Sequence, residues 1–256
     1  MELNLANWSQ RFTYFLGRFH DLELQSLLAR FLRAGDRFVD MGANMGMITL
    51  VGSRFVGPSG VVDAFEPNPA CFESIRATLA RNKITNVRLH PAAMGDVATT
   101  LPLTVPRYNS GEASLVAAPD TFGGDADTVE VPVLVGDDAL KSDPRPPIFI
   151  KIDVEGFERR VLQGLRETLT WDRPLVATEV IARHLAREGC RPSDLFDLME
   201  SLGYRGLQYK VVRKRLTYRE LTFAPASATN HADNVLWVPD GGPAVERLES
   251  LRIHGL

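Results

Sequence analysis

The 256 residues carry 32 acidic against 29 basic side chains, a net charge of -3, and so offer no basic footprint for nucleic acid or an anionic membrane surface. A hydrophobic content of 45%, a charged content of 24% and a mean hydropathy of -0.08 exclude a disordered or fibrous chain and fit one globular α/β domain. Cys71 and Cys190 stand far apart without C-x-x-C spacing, and neither a signal-peptide pattern nor a run of eighteen apolar residues occurs, so the expectation is a cytoplasmic protein without a membrane span.

The first 36 residues read as a helical cap. Phe12, Phe15, Leu16 and Phe19, then Leu24, Leu27, Leu28, Phe31 and Leu32, recur at helical spacing, and the break over 17–21 divides them into two helices, with Asp21 capping the second. Gly35-Asp36 ends that helix and hands the chain to a buried strand, Phe38-Val39-Asp40-Met41. Gly42-Ala43-Asn44-Met45-Gly46 follows as a tight turn, and a helix starts near Met47. A strand feeding a glycine turn and a helix aims free backbone N–H groups at a ligand above the strand end. Asp40 would repel a pyrophosphate there and attract a sulfonium and an ammonium. Gly42 and Gly46 also lack the G-x-G-x-x-G spacing of a dinucleotide site.

A second strand, Val61-Val62-Asp63-Ala64-Phe65, ends at Glu66, about 20 residues after the turn, where an acid would grip ribose hydroxyls. Pro67-Asn68-Pro69 opens the next helix with Asn68 as its cap. Val87-Arg88-Leu89-His90 reads as strand three; the small residues after it, Ala92-Ala93-Met94-Gly95-Asp96, either admit a flat ring such as adenine or form a plain turn. Residues 99–135 break the pattern with short alternating pieces around a polar stretch, an inserted lid or substrate surface, or else a flexible excursion. Ile148-Phe149-Ile150-Lys151-Ile152 is a β-branched buried strand ending in Asp153-Val154-Glu155-Gly156, with a helix expected over 158–169. Another buried strand ends at Glu179, and a helix follows over 194–202. Residues 204–212 and 234–238 read as a closing pair of strands joined through Arg213-Lys214-Arg215, and a C-terminal helix occupies 241–256.

Asp40, Glu66, Asp153 and Glu179 thus stand at four strand ends, the edge of an open parallel sheet where ligands bind. The motifs VDMGANMG (39–46), FEPNP (65–69), IKIDVEGFE (150–158) and VLQG (161–164) resemble those of the FkbM family of class I S-adenosylmethionine-dependent methyltransferases, over residues 31–238. The resemblance implies a Rossmann-like α/β fold whose seven-stranded, mostly parallel sheet has an antiparallel last strand in a domain spanning 37–240. It also implies methyl transfer to an oxygen, often of a sugar or natural product, with S-adenosylmethionine as cofactor. Carried over by position, Gly42, Asn44 and Gly46 would wrap the methionine part, with Asp40 near its ammonium and Glu23 as a further contact. Glu66 beside Pro67 would hold the ribose, and Ala93 or Met94 with Asp96 would border adenine. Val135-Gly136-Asp137-Asp138 departs from the family, which usually has leucine before the paired acids.

Asp153 and Glu155 would lie beside the methyl donor, Asp153 first and Glu155 second as base or orienter, or else both cap the following helix. His184, after the strand ending at Glu179, is an alternative base or a helix-surface residue. Asp153 and Glu179 with waters could hold a divalent ion, although nothing in the spacing demands a metal. The basic run over 210–219 reads as a solvated hairpin or a contact to a substrate anion. The expected partner is a small hydroxylated molecule, with no nucleic acid; the sequence sets no oligomeric state. Two rivals remain: a nicotinamide-dependent oxidoreductase on a Rossmann fold, and a catalytically silent binding protein of the methyltransferase fold.

Overall fold

The computed structural model describes residues 5, 7–16, 21–213 and 219–251. Phe19, most of the expected helix break, Lys214 and Arg215 of the basic connection, and residues 252–256 lie outside the described residues. The helices are α1 (Trp8–Leu16), α2 (Leu22–Phe31), α3 (Met47–Val56), α4 (Pro69–Arg81), α5 (Gly136–Leu140), α6 (Glu158–Gly164), α7 (Arg166–Trp171), α8 (Ala182–Leu185), α9 (Pro192–Ser201) and α10 (Pro243–Ser250). The strands are β1 (Arg37–Met41), β2 (Val61–Phe65), β3 (Val87–His90), β4 (Ala93–Gly95), β5 (Thr99–Pro106), β6 (Ala126–Val135), β7 (Phe149–Ile152), β8 (Leu175–Glu179), β9 (Tyr204–Arg213), β10 (Arg219–Pro225) and β11 (Asn234–Pro239). None of the described helices is long and apolar enough to cross a membrane.

The main sheet runs β10-β9-β11-β8-β7-β1-β2-β3, parallel from β8 to β3 and antiparallel beyond β8. Its strands are apolar on both faces because helices cover both. Side chains alternate between the two layers, as a period of 2 requires. Val39, Met41, Ile150, Ile152 and Val176 pack on one side with Leu162 and Phe196. On the other side Phe38, Val62, Phe149 and Leu175 meet Leu28 and Phe31 of α2. Phe149 is wholly buried, and truncating such a residue costs about 3–5 kcal/mol.

Three expectations need correction. The main sheet has eight strands and not seven, because residues 219–225 form β10 in a hairpin with β9 instead of serving as a connection. The charges of that stretch mask its alternation, in which Leu221 and Phe223 point inward. The helix expected over 158–169 breaks at Leu165, which leaves the helical region at φ -110 and ψ 17, next to Gly164, where a Cβ would lie 1.8 Å from the Gly95 carbonyl oxygen. Asp137 takes up the exposed ends: its carboxylate accepts from the backbone N–H groups of Glu167 and Thr168, both at 2.9 Å. Finally, the plain turn at Ala93 and the flexible excursion over 99–135 give way to paired strands, with the polar stretch between β5 and β6 left as their connection. β4 pairs parallel with β6, and β5 antiparallel with β6, so residues 93–135 build a second sheet that stands over the ends of β1 and β2.

Candidate active site

The turn between β1 and α3 is held by backbone that few residues could adopt. Gly42, Asn44 and Gly46 all have positive φ, and a Cβ on Gly42 would sit 1.9 Å from the Asp153 carbonyl oxygen. The N–H groups of Gly42 and Ala43 both donate to the Phe65 carbonyl at 3.0 Å, which fixes the turn against the end of β2. Gly46 caps α3 and packs against Ile75 rather than facing a cavity.

Glu66 continues from β2 directly beneath this turn. Its Oε2 accepts from the Asn44 N–H at 2.5 Å and its Oε1 from the Asn68 N–H at 2.8 Å. A carboxylate has about four acceptor positions, so two remain. Burial pushes Glu66 up to about 7 against the opposing pull of those two backbone bonds.

Asp40 has no exposed surface. Its carboxylate accepts from the Thr49 hydroxyl at 2.6 Å and lies 3.3 Å from the Lys151 ammonium. It therefore supports the turn from below and does not form a cavity wall. Lys151 also donates to the Gly42 carbonyl at 2.6 Å and stands 3.5 Å from an Asp153 oxygen. Burial alone would lower its pKa, but the charges of Asp40 and Asp153 outweigh that and hold it above the ordinary lysine value. Lys151 has no motif around it, and the one sign of its role in the sequence is a lysine inside an otherwise apolar buried strand, where a partner is required.

Two cavities meet at Gly42, Asn44 and Asp153. The first is walled by Phe65, Pro67, Met94, Leu103 and Phe157, with Glu66 as its polar contact on the β2 side. The second, of about 350 Å³, is lined by Asp21, Glu23, Asp153, Glu179 and Asp233, with Lys151 as the cation in its wall. Asp21 caps α2, and burial raises it to about 6. The first cavity suits a flat apolar ring joined to hydroxyls; the second suits positive charge.

Of the residues singled out in the sequence, Gly42, Asn44, Glu66, Pro67, Ala93, Met94, Asp153 and Glu155 line the first cavity, and Glu23 lines the second. Asp96 is not brought to this cavity. It lines a separate cavity, where it lies 3.2 Å from Arg160. Leu103 of β5, with Ser110 and Leu115 of the β5–β6 connection, also lines the first cavity, and no local pattern announces them because the pairing of β5 with β6 brings this stretch there. The N-terminal helix closes over the same edge, with Asn7 donating to the Ser110 hydroxyl at 3.0 Å.

The loop after β7 is anchored by Glu158, whose Oε1 accepts from Val154 and Gly156 N–H groups at 3.1 and 3.2 Å. No side chain among the described residues caps α6, so neither Asp153 nor Glu155 serves as its cap. Glu155, at φ 55, is turned toward α8, where its Oε2 lies 2.9 Å from His184 Nδ1. Glu179 stands 3.3 Å from the same nitrogen. The adjoining carboxylates, Glu155 first and then Glu179, push His184 up to about 9, so it is not a free base at neutral pH.

A family model described as Methyltransferase FkbM domain matches residues 40–205. Methyltransferase sdnD from Sordaria araneosa is 29% identical over 194 residues, covering 65% of this chain and 72% of its own length. The 31-O-demethyl-FK506 methyltransferase FkbM from Streptomyces tacrolimicus is 31% identical over 172 residues, 56% of this chain and 64% of that one. Among solved structures, the crystal structure of methyltransferase FkbM from Methylobacillus flagellatus aligns with a TM-score of 0.47 at 21% identity, over 80% of this chain and 43% of that chain.

Proposed function

The chain belongs to the FkbM methyltransferase family, and from that premise we propose that it transfers a methyl group from S-adenosylmethionine to a hydroxyl oxygen of a small molecule such as a sugar or natural product. Membership leaves the nicotinamide alternative without support. The observation that carries the reading is Glu66: after accepting from Asn44 and Asn68, its carboxylate keeps two acceptor positions, as a vicinal ribose diol requires, at the edge of a slot walled by Phe65, Met94 and Phe157.

The residues present fit the cofactor. Gly42 stands where the two cavities meet, its backbone packed so closely on the Asp153 carbonyl that a Cβ there would displace the loop bearing Asp153, and the acids of the second cavity complement an ammonium and a sulfonium. That attraction comes from Asp21, Glu23, Asp153, Glu179 and Asp233, since Asp40 is already neutralised by Lys151. When bound, the cofactor supplies an electrophilic methyl group on sulfur. Asp153 belongs to both cavities and its side chain is 43% exposed, so it can accept the hydrogen bond of an incoming hydroxyl and take the proton at Oδ as the new bond forms. Lys151 steadies Asp153 from 3.5 Å, and alignment of the hydroxyl supplies much of the acceleration. Oxygen as the acceptor accords with the relative named for a 31-O-demethyl substrate. It also accords with a β7 end reading Asp-Val-Glu-Gly, without the proline-aromatic turn that suits an amine.

Calorimetry with S-adenosylmethionine and S-adenosylhomocysteine tests the first half of the proposal, and mass spectrometry after incubation with isotopically labelled cofactor and a panel of hydroxylated sugars and natural products tests the second. Folded protein that gives no heat with either nucleoside overturns it. Asp153→Asn should lower turnover far more than cofactor affinity.

A further inference from the structure

Glu155 and Glu179 come from the ends of neighbouring strands, and His184 from the short helix that follows β8. One oxygen from each glutamate and one ring nitrogen lie within 4.8 Å of one another. The two separations from Nδ1, 2.9 Å to Glu155 and 3.3 Å to Glu179, match the edges of an octahedron around an ion about 2.1 Å from each donor, which are about 3 Å long. We propose that Glu155, Glu179 and His184 form a binding site for one divalent transition-series cation, with its open positions turned toward the crevice beside Asp153.

Three further observations support a built site. The Glu155 Oε2 atom is buried and receives no hydrogen bond of good geometry, although Nδ1 is only 2.9 Å away. A contact that is close yet misaligned is poor for a shared proton and indifferent for a metal, which needs distance and lone pairs. The loop is also fixed before any ligand arrives: Ser114 donates to the Glu155 carbonyl at 2.7 Å, and a Cβ on Gly156 would lie 2.5 Å from the His184 carbonyl oxygen. Lastly, Glu155 borders the first cavity and Glu179 the second, so an ion between them faces the place where the two meet.

The donor set selects the ion. One imidazole with two carboxylates favours manganese or zinc over calcium and magnesium, which prefer oxygen alone. Exposed Arg183, whose Nε lies 3.2 Å from the far ring nitrogen of His184, opposes a cation on that ring. The inference rests on these donors and not on methyl transfer, although it concerns the same crevice.

The test is calorimetry of the full chain, stripped with chelator, against manganese, zinc and magnesium chlorides. One manganese or zinc ion per chain is expected, with magnesium weaker. Glu179→Gln and Glu155→Gln should each weaken binding by about tenfold or more, and Arg183→Gln should tighten it. Absent binding, or binding equal in all variants, overturns the site. Should the variants misfold, pulsed electron paramagnetic resonance of manganese on the unaltered chain decides, because a nitrogen coupling from His184 must appear and its absence refutes the assignment. Heat with S-adenosylhomocysteine, measured alongside, reports separately on the cofactor reading.

Discussion

Lys151 donates to the carbonyl oxygen of Gly42 at 2.6 Å while its ammonium stands 3.3 Å from the buried carboxylate of Asp40. One side chain from β7 therefore both neutralises the acid under the glycine turn and ties down the turn itself. Lys151→Met leaves Asp40 buried without its cation, and breaking a buried pair in this way costs about 3–5 kcal/mol. Urea denaturation should show that loss. Adding Asp40→Asn should restore part of it, so the double-mutant cycle gives a coupling of 1 kcal/mol or more, on the order of other buried pairs. Additive losses would show that the two residues act apart.

Gly42→Ala should remove cofactor binding. The residue has φ 77, and its new methyl group would meet the Asp153 carbonyl oxygen at 1.9 Å. Gly123→Ala is the control, because Gly123 has φ 65 but nothing within 4 Å; it should cost only about 1 kcal/mol of stability and leave affinity unchanged. Calorimetry with S-adenosylhomocysteine separates close approach from backbone strain: equal effects at both positions would mean that strain alone matters.

How far the sequence led depended on whether the signal was local. The β1 turn, the Asn68 cap and the end of β2 each rest on neighbours in the chain, and turn chemistry can be read there directly. β10 is hidden behind the basic residues that precede it, although Leu221 and Phe223 alternate along it. The role of Lys151 depends on a partner 111 positions away in the chain, and the walls supplied by Leu103 and Leu115 depend on a second sheet that no window of residues shows. Asp40 marks the same limit from the other side: its place at a strand end was legible, whereas its partner was not.

Asp63, at the middle of β2, should prove a stability residue. Its carboxylate lies 2.8 Å from Arg37 and 2.7 Å from Arg88. Burial alone would raise its pKa, but the His90 ring 3.5 Å away and the charge of Arg37 win, and hold it below the ordinary carboxylate value. The sign follows from linkage. A carboxyl lowered on folding stabilises above its unfolded pKa, and that stability is lost as pH falls through the folded value, so the contribution is intact at neutral pH and disappears in acid below about 4. Asp63→Asn should cost about 3–5 kcal/mol at pH 7 through the buried Arg37 left unpaired. It should also flatten the acid limb of the stability profile measured by thermal unfolding; an unchanged limb would remove Asp63 from that role.

Glu66 should make cofactor affinity depend on pH in the opposite range. Burial raises it from 4.5 to about 7, so the free protein holds a proton there through mildly acidic conditions. Folding stability carries the matching sign: this group favours the folded state below its unfolded pKa, and that advantage, about 3 kcal/mol in scale, is lost as pH rises to about 7. Only the ionised carboxylate accepts from Asn44, Asn68 and two ribose hydroxyls at once, so binding below pH 7 must expel the proton. Affinity for S-adenosylhomocysteine should therefore fall by up to about tenfold per pH unit below 7 and level off above 8. Calorimetry in buffers of different ionisation enthalpy should register proton release at pH 6 and almost none at pH 8. Glu66→Gln should bind more weakly at every pH and lose the slope, because an amide neither titrates over this range nor accepts at all four positions. Unchanged affinity between pH 6 and 8 in the unaltered protein would show that the diol is held elsewhere.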